Sequence, residues 1–149
     1  MSQLGEIRPG KVWSYFEEIC RIPRLSKNEE KIRKYLLEFA VRNNLDAKED
    51  NVGNILITRE ASPGMERVKT VVLQSHLDMV GEKNASYPHN WQEDPIIPVI
   101  DGKWVGASGT TLGADDGIGI AAQMAILTDP YLRCGKIECL FTVDEESGM

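Results

Sequence analysis

The chain has 149 residues, of which 42% are hydrophobic, 27% charged and 7% aromatic. This is the composition of one ordinary folded domain, and it excludes a disordered or fibrous protein. The 17 basic and 23 acidic residues give a formal net charge of −6, and Lys and Arg form no block. We therefore expect no nucleic-acid partner.

Membrane insertion and disulfide bonding are not expected either. No apolar run approaches the ~20 residues that are needed to cross a bilayer. The three cysteines, Cys20, Cys134 and Cys139, are an odd number without paired or metal-type spacing. No signal peptide precedes them, so we expect a reducing, cytoplasmic location.

Two amphipathic helices are predicted in the first third of the chain. Residues 8–21 carry apolar side chains at helical spacing behind Pro9, a residue that is tolerated at a helix start. The segment of a second helix is expected to open with Ser26 and Glu29, which form a capping-box pattern that would bond two free backbone N–H groups. This helix is predicted to end near residues 43–44.

Strands are predicted next. Asn54–Thr58 and Val68–Met79 are β-rich runs separated by the turn-forming residues 62–64, and we predict that they are neighbouring strands. Asp101-Gly102 between two apolar runs predicts a small hairpin over Val99–Val105.

The last third of the sequence is predicted to form a helix and a strand. Gly113–Thr128 has apolar residues at helical spacing, and Ile137–Val143 is a short apolar run typical of a buried strand. The order of helices and strands indicates an α/β layer architecture.

His76 and Asp78 are the first candidate site residues. A strand has a period of two, so both side chains should leave the same face. Polarity rises toward the C-terminal end of this strand, which is where open α/β sheets place their sites. A neutral imidazole held by a carboxylate suits a zinc ligand. Taken alone, a His-x-Asp pattern arises easily by chance and favours a structural role.

A second cluster is the glycine-rich segment Thr110–Ala121, which contains Asp115 and Asp116. These acids could simply stabilise the start of a helix. Alternatively, one carboxylate could bridge two metal ions, which lie ~3.5–4 Å apart in co-catalytic sites. A phosphate cradle is not favoured, because the glycine spacing fits neither the dinucleotide fingerprint nor the P-loop.

The third cluster is Asp144, Glu145 and Glu146, at the end of the last predicted strand. Crowded carboxylates repel one another unless a cation or protons intervene. Since neighbouring strand residues point opposite ways, Glu145 and Glu146 could divide two roles, one as a ligand and the other as a base.

Together the clusters suit zinc, manganese or cobalt in a hydrolase, because they combine one His with several carboxylates and no nearby Cys. No Ser-His-Asp arrangement is compelling. The other histidine, His89, lies in a Pro-rich segment and is interpreted as a loop residue.

Three motifs then resemble those of a known family. They are Ser75–Val80 (SHLDMV) followed by Lys83-Asn84, Gly109–Ala121 (GTTLGADDGIGIA) and Thr142–Met149 (TVDEESGM). They are similar to the di-zinc metallopeptidases of the aminoacyl-histidine dipeptidase type, also called peptidase D or Xaa-His dipeptidase. The resemblance runs over essentially the whole chain.

The resemblance implies a role for each site residue. His76 would bind one zinc ion, Asp115 would bridge both ions, and Glu146 would bind the second. Asp78 would clamp the His76 imidazole, and Glu145 would be the general base for the metal-bridging water. Relatives hold the peptide bond after the bridging Asp in a cis form, so the bond from Asp115 to Asp116 is expected to be cis. Many relatives have Asn at the position of Asp116, and the register from His76 favours Asp115 as the bridge.

The resemblance also implies a three-layer αβα zinc-exopeptidase-like catalytic domain with a mixed sheet, of which residues 1–149 would be the incomplete N-terminal part. Relatives continue with a further Asp ligand, a distant His ligand and an inserted lid or dimerisation domain, which are not expected within residues 1–149. With three of five ligands, this chain alone should bind metal weakly and turn over little or nothing. A full-length relative is expected to form a homodimer.

The implied function is zinc-dependent hydrolysis of Xaa-His dipeptides, with manganese or cobalt as substitute metals. Three alternatives stay open. The chain could belong to a tripeptidase, to an amino-acid deacylase, or to a non-catalytic α/β fragment in which the motifs are vestigial.

Overall fold

The computed structural model describes residues 4–148. This part of the chain forms three α-helices and six β-strands, and a single 3-10 turn, Glu145–Ser147, follows the last strand. The elements are α1 Gly10–Cys20, α2 Glu30–Arg42, β1 Asp46–Glu49, β2 Ile55–Arg59, β3 Val71–His76, β4 Pro98–Asp101, β5 Trp104–Ala107, α3 Ala114–Leu127 and β6 Ile137–Thr142. No helix among these is both long and apolar enough to span a bilayer.

The main sheet has four strands in the order β1-β2-β6-β3. Its first two pairings are antiparallel, whereas β3 and β6 are parallel. The prediction that β2 and β3 are neighbours is therefore wrong, because β6 lies between them. Its residues Ile137, Cys139 and Phe141 are buried, and this largely apolar strand takes an inner position beside β2 although it is the last strand in the chain.

One face of the sheet carries the core. Ser75 and Phe141 are in register on this face, and Ser75 contacts Gln123 of α3 through a hydrogen bond of 3.2 Å. On the opposite face Leu56 and Leu140 stay partly exposed in the described residues. The α/β class and the mixed sheet are confirmed. In the described part of the chain, helices pack on the face of the sheet that carries Ser75.

The helix predictions are confirmed, except for the capping box. Helix α2 begins at Glu30, and no side chain caps its first turn. The hydroxyl of Ser26 instead donates to Asp78 Oδ2 at 2.7 Å. The Glu29 carboxylate likewise accepts the N–H of Asp144 and not that of Ser26. The capping-box interpretation of Ser26 and Glu29 is therefore wrong, because both side chains bind remote partners and the helix begins after them.

Strand β1 is missed by sequence patterning, because its residues Asp46–Glu49 are mostly polar and lie at the sheet edge. The hairpin is confirmed: β4 and β5 pair antiparallel as a separate sheet, and Gly102 turns between them with a φ of 58°.

Candidate metal centre

His76 is the last residue of β3 and is 7% exposed. Its Nδ1 contacts the carbonyl oxygen of Asp78 at 3.0 Å and a carboxylate oxygen of the same residue at 3.3 Å. The Nε2 atom faces Asp115. The ring is thus oriented from one side, which leaves the other nitrogen available to a ligand.

The imidazole of His76 binds a proton more tightly than a free imidazole does. Burial alone lowers the pKa of His76, but the hydrogen bond with Asp115 and the carbonyl and charge of Asp78 outweigh burial, so the pKa is raised above its ordinary value. Without a metal, the neighbouring acids therefore favour the protonated imidazole over the neutral one.

Asp78 is fully buried and organises the site through its carboxylate. Its Oδ1 accepts the backbone N–H of Glu145 at 3.1 Å, and its Oδ2 accepts the N–H of Glu146 at 3.0 Å together with the Ser26 hydroxyl. Burial raises the pKa of Asp78, but these donors outweigh it and hold the pKa below its ordinary value. The buried carboxylate stays ionised and connects the imidazole to the Glu-Glu turn.

Asp115 and Asp116 have different surroundings at the start of α3. Asp115 Oδ1 lies 2.9 Å from His76 Nε2, and its side chain is 84% exposed. Asp116 Oδ1 instead accepts the N–H of Gly119 at 3.1 Å, which is a capping interaction within the helix. The peptide bond between the two residues is cis, as predicted. The capping interpretation of this segment thus applies to Asp116, whereas a metal-bridging role of Asp115 stays a prediction.

Glu145 and Glu146 lie on the 3-10 turn that follows β6 and not on the strand itself. The chain leaves the strand through Asp144, whose φ of 60° redirects the backbone. The expectation that strand alternation separates the two glutamates is therefore wrong. Glu145 Oε2 lies 3.9 Å from His76 Nε2, and its side chain is 45% exposed.

The structure brings the predicted metal ligands together. One ligand atom each from His76, Asp115 and Glu146 lies within 4.8 Å of the others. We refer to these three residues as the ligand cluster. The two acids are exposed and the histidine is buried, so the cluster opens to solvent on its acidic side.

Sequence reasoning missed the contribution of Ser26, and no local signal could have found it, because its partner Asp78 is 52 residues away. His89 is not part of the ligand cluster. Its ring lies 4.4 Å from that of Trp91 and 6.3 Å from that of Tyr87, as expected for a packed loop residue.

No family model matches the chain, but close relatives exist. It is 48% identical over all 149 residues to the cytosol non-specific dipeptidase of Escherichia coli, of which it covers 31%. It superimposes on the crystal structure of aminoacylhistidine dipeptidase from Vibrio alginolyticus with a TM-score of 0.96 and 47% identity. The resemblance to the aminoacyl-histidine dipeptidases is confirmed.

The match to the aminoacyl-histidine dipeptidase of Vibrio alginolyticus covers 99% of this chain and 30% of that protein. The chain thus spans about a third of the length of these two relatives. A tripeptidase of Staphylococcus aureus is more distant, with 27% identity and a TM-score of 0.76 over 95% of this chain and 38% of that one.

Proposed function

We propose that the chain contributes to a metal-dependent dipeptidase in which His76, Asp115 and Glu146 are metal ligands. The observation that carries this proposal is the ligand cluster, whose donor atoms lie within 4.8 Å of one another. These atoms come from three segments that are distant in sequence, and packing between β3, α3 and β6 brings them together. Repulsion between the exposed acids would oppose this arrangement unless a cation stabilised it.

Zinc fits this donor set, because one imidazole nitrogen and several carboxylate oxygens are its ordinary ligands in hydrolases. Manganese and cobalt are substitutes that the same donors accept. When bound, zinc polarises a carbonyl group and lowers the pKa of water. The backbone and carboxylate of Asp78 hold His76 Nδ1, which leaves Nε2 directed at the cluster.

Glu145 is proposed as the general base. Its carboxylate is part exposed and lies beside His76 without belonging to the ligand cluster. A base must reach the attacking water while staying free to take up its proton. The N–H groups of Glu145 and Glu146 both bind the Asp78 carboxylate, so the base and the ligand are held by a single buried group.

We propose that residues 1–149 are the N-terminal part of the catalytic domain. The chain spans about a third of its relatives, and the remaining two thirds would supply the further Asp and His ligands and the lid or dimerisation domain. On this view the full protein is a cytoplasmic homodimer that hydrolyses Xaa-His dipeptides. The similarity to a tripeptidase favours tripeptides as the second candidate substrate class, and acylated amino acids are a third.

A titration with zinc tests the metal site. Isothermal titration calorimetry should show weak zinc binding by the chain and none by the double variant His76→Ala/Asp115→Ala. Asp116→Asn is the matched control, because Asp116 is adjacent to Asp115 and its Oδ1 accepts the N–H of Gly119, but it lies outside the ligand cluster. Unchanged binding by the double variant would reject the metal site.

A second measurement tests the substrate class. Rates of the full-length protein are compared on Xaa-His dipeptides, on tripeptides and on acetylated amino acids. Preference for the dipeptides supports the proposal, whereas faster cleavage of either other class replaces it with that activity. No metal-dependent hydrolysis of any of them would support the non-catalytic alternative.

A further inference from the structure

The connection between α1 and α2 lies against the candidate metal centre. Leu25 forms an isolated parallel bridge with Met79, and the N–H of Met79 donates to the carbonyl oxygen of Arg24 at 3.1 Å. The connection therefore runs beside the segment that follows His76. None of its side chains belongs to the ligand cluster.

The Arg24 guanidinium joins two segments that carry candidate ligands. Its Nη1 donates to the carbonyl oxygens of Leu77 at 2.9 Å and Asp78 at 3.2 Å. Its Nη2 donates to the carbonyl oxygen of Gly113. The first two carbonyls follow the histidine at the end of β3, and the third lies two residues before the aspartate of the ligand cluster.

Arg24 is 2% exposed, and two glycines make room for it. A Cβ atom at Gly113 would lie 2.6 Å from Nη2, and one at Gly117 would lie 2.7 Å from it. Burial is the largest influence on the group and lowers the pKa of Arg24 to about 10, so the guanidinium stays charged at neutral pH. Apolar residues of similar size would fill this site without the free-energy cost of burying a charge, so packing alone does not account for an arginine here.

Two other side chains of the same connection hold the remaining parts of the site. Ser26 donates to the Asp78 carboxylate. Glu29 is 5% exposed, and its Oε1 accepts the N–H of Asp144 at 3.0 Å, directly before the Glu-Glu turn. Residues 24–29 thus contact every segment from which the ligand cluster is built.

We propose that Arg24 is a positioning residue of the metal centre, whose guanidinium fixes the separation between the end of β3 and the start of α3. It thereby sets the separation of His76 and Asp115. This inference rests on the proposed function. It explains how two ligands are held in place before a metal binds, and such preorganisation raises metal affinity. Lysine cannot substitute, because its ammonium group lacks the planar fork that spans carbonyls on two segments.

The test compares Arg24→Lys with Arg59→Lys as a matched control. Arg59 also donates from both terminal nitrogens to backbone carbonyls, those of Ile126 at 2.6 Å and Leu132 at 3.0 Å, but at the far end of α3. Zinc affinity is measured by calorimetry, and folding of each metal-free variant by urea denaturation. We expect Arg24→Lys to bind zinc at least ~10-fold more weakly, and Arg59→Lys to bind like the unsubstituted chain.

A second variant covers the case in which Arg24→Lys does not fold. Gly117→Ala keeps the arginine and its charge but places a methyl group 2.7 Å from Nη2 and 2.9 Å from the Phe16 ring, so its folding is measured as for the other variants. We expect Gly117→Ala also to weaken zinc binding. If Arg24→Lys is unfolded, the zinc affinity of Gly117→Ala alone tests the positioning role.

The outcomes separate this inference from the proposed function. Zinc binding of unchanged affinity in the folded variants, or an equal loss in Arg59→Lys, overturns the positioning role and leaves the metal site standing. Failure of the unsubstituted chain to bind zinc rejects the metal site, and the positioning role with it.

Discussion

The buried carboxylate of Asp78 accepts the backbone N–H of Glu146 at 3.0 Å. The same carboxylate lies 3.3 Å from Nδ1 of His76. One ionised group thus orients the imidazole by its contact with the ring and the glutamate by a bond to its main chain. Two candidate ligands, one at the end of β3 and one on the turn after β6, depend on it.

Asp78→Asn should therefore weaken zinc binding by about 10- to 100-fold, the range found when a group that orients a metal ligand is removed. The amide keeps the size of the carboxylate. Its NH₂ group would face the backbone N–H of Glu145 or of Glu146, so at least one of these two hydrogen bonds would be lost. Zinc titration of the folded variant is the measurement. Ser26→Ala, which removes only one donor to Asp78, serves as a milder comparison. An affinity equal to that of the unsubstituted chain would argue against the role of Asp78.

Glu145→Gln in the full-length protein should lower kcat by about 10²- to 10⁴-fold, the contribution typical of a general base. Glutamine keeps the shape of the side chain but takes up no proton. Zinc content should stay unchanged, because Glu145 lies outside the ligand cluster. If zinc is lost together with activity, Glu145 is a ligand and the proposed division of roles is wrong.

The stability that His76 gives to the metal-free chain should fall as pH rises. Its pKa in the folded chain lies above the ordinary value of about 6.5, so its protonated form stabilises the fold. This contribution is complete below the unfolded pKa and is lost as pH rises through the folded one. Urea denaturation with chelator at pH 5.5 to 8.5, a range set around that ordinary value, should show the difference from His76→Gln shrinking with pH. A difference that grows with pH would contradict this assignment.

Thiol labelling of the native chain should reach Cys134 and spare the other two cysteines. Burial raises the pKa of Cys20 to about 12 and that of Cys139 to about 12, and the thiolate is the reactive form. A chromogenic disulfide reagent at pH ~8, below the ordinary thiol pKa of about 8.5, should titrate one thiol in the folded chain and all three in denaturant. Rapid native labelling of Cys20 or Cys139 would show that the core opens locally.

Local patterns predicted most of the elements, because helical spacing and apolar runs report burial directly. They failed where partners are remote in sequence. The order β2-β6-β3 depends on which strand takes the inner position, and β1 has too little apolar content for its residues to reveal an edge strand.

The candidate site was predicted more fully than the sheet, since the resemblance of three motifs to a known family implied His76, Asp115 and Glu146, and the structure brings these residues together. What the sequence could not show is how they are supported. Glu29 was interpreted as a helix cap, yet its carboxylate binds the Asp144 N–H, 115 residues away. The turn after β6 replaces the expected strand alternation because Asp144 adopts a positive φ.

The inner position of β6 has a consequence for the order in which the molecule is assembled during synthesis. Strands β2 and β3 precede β6 in the chain, so the hydrogen-bonded order β2-β6-β3 can form only after residues 137–142 have been made. Glu146 follows these residues. The ligand cluster, which takes members from both sides of β6, can therefore be complete only after β6 has been synthesised.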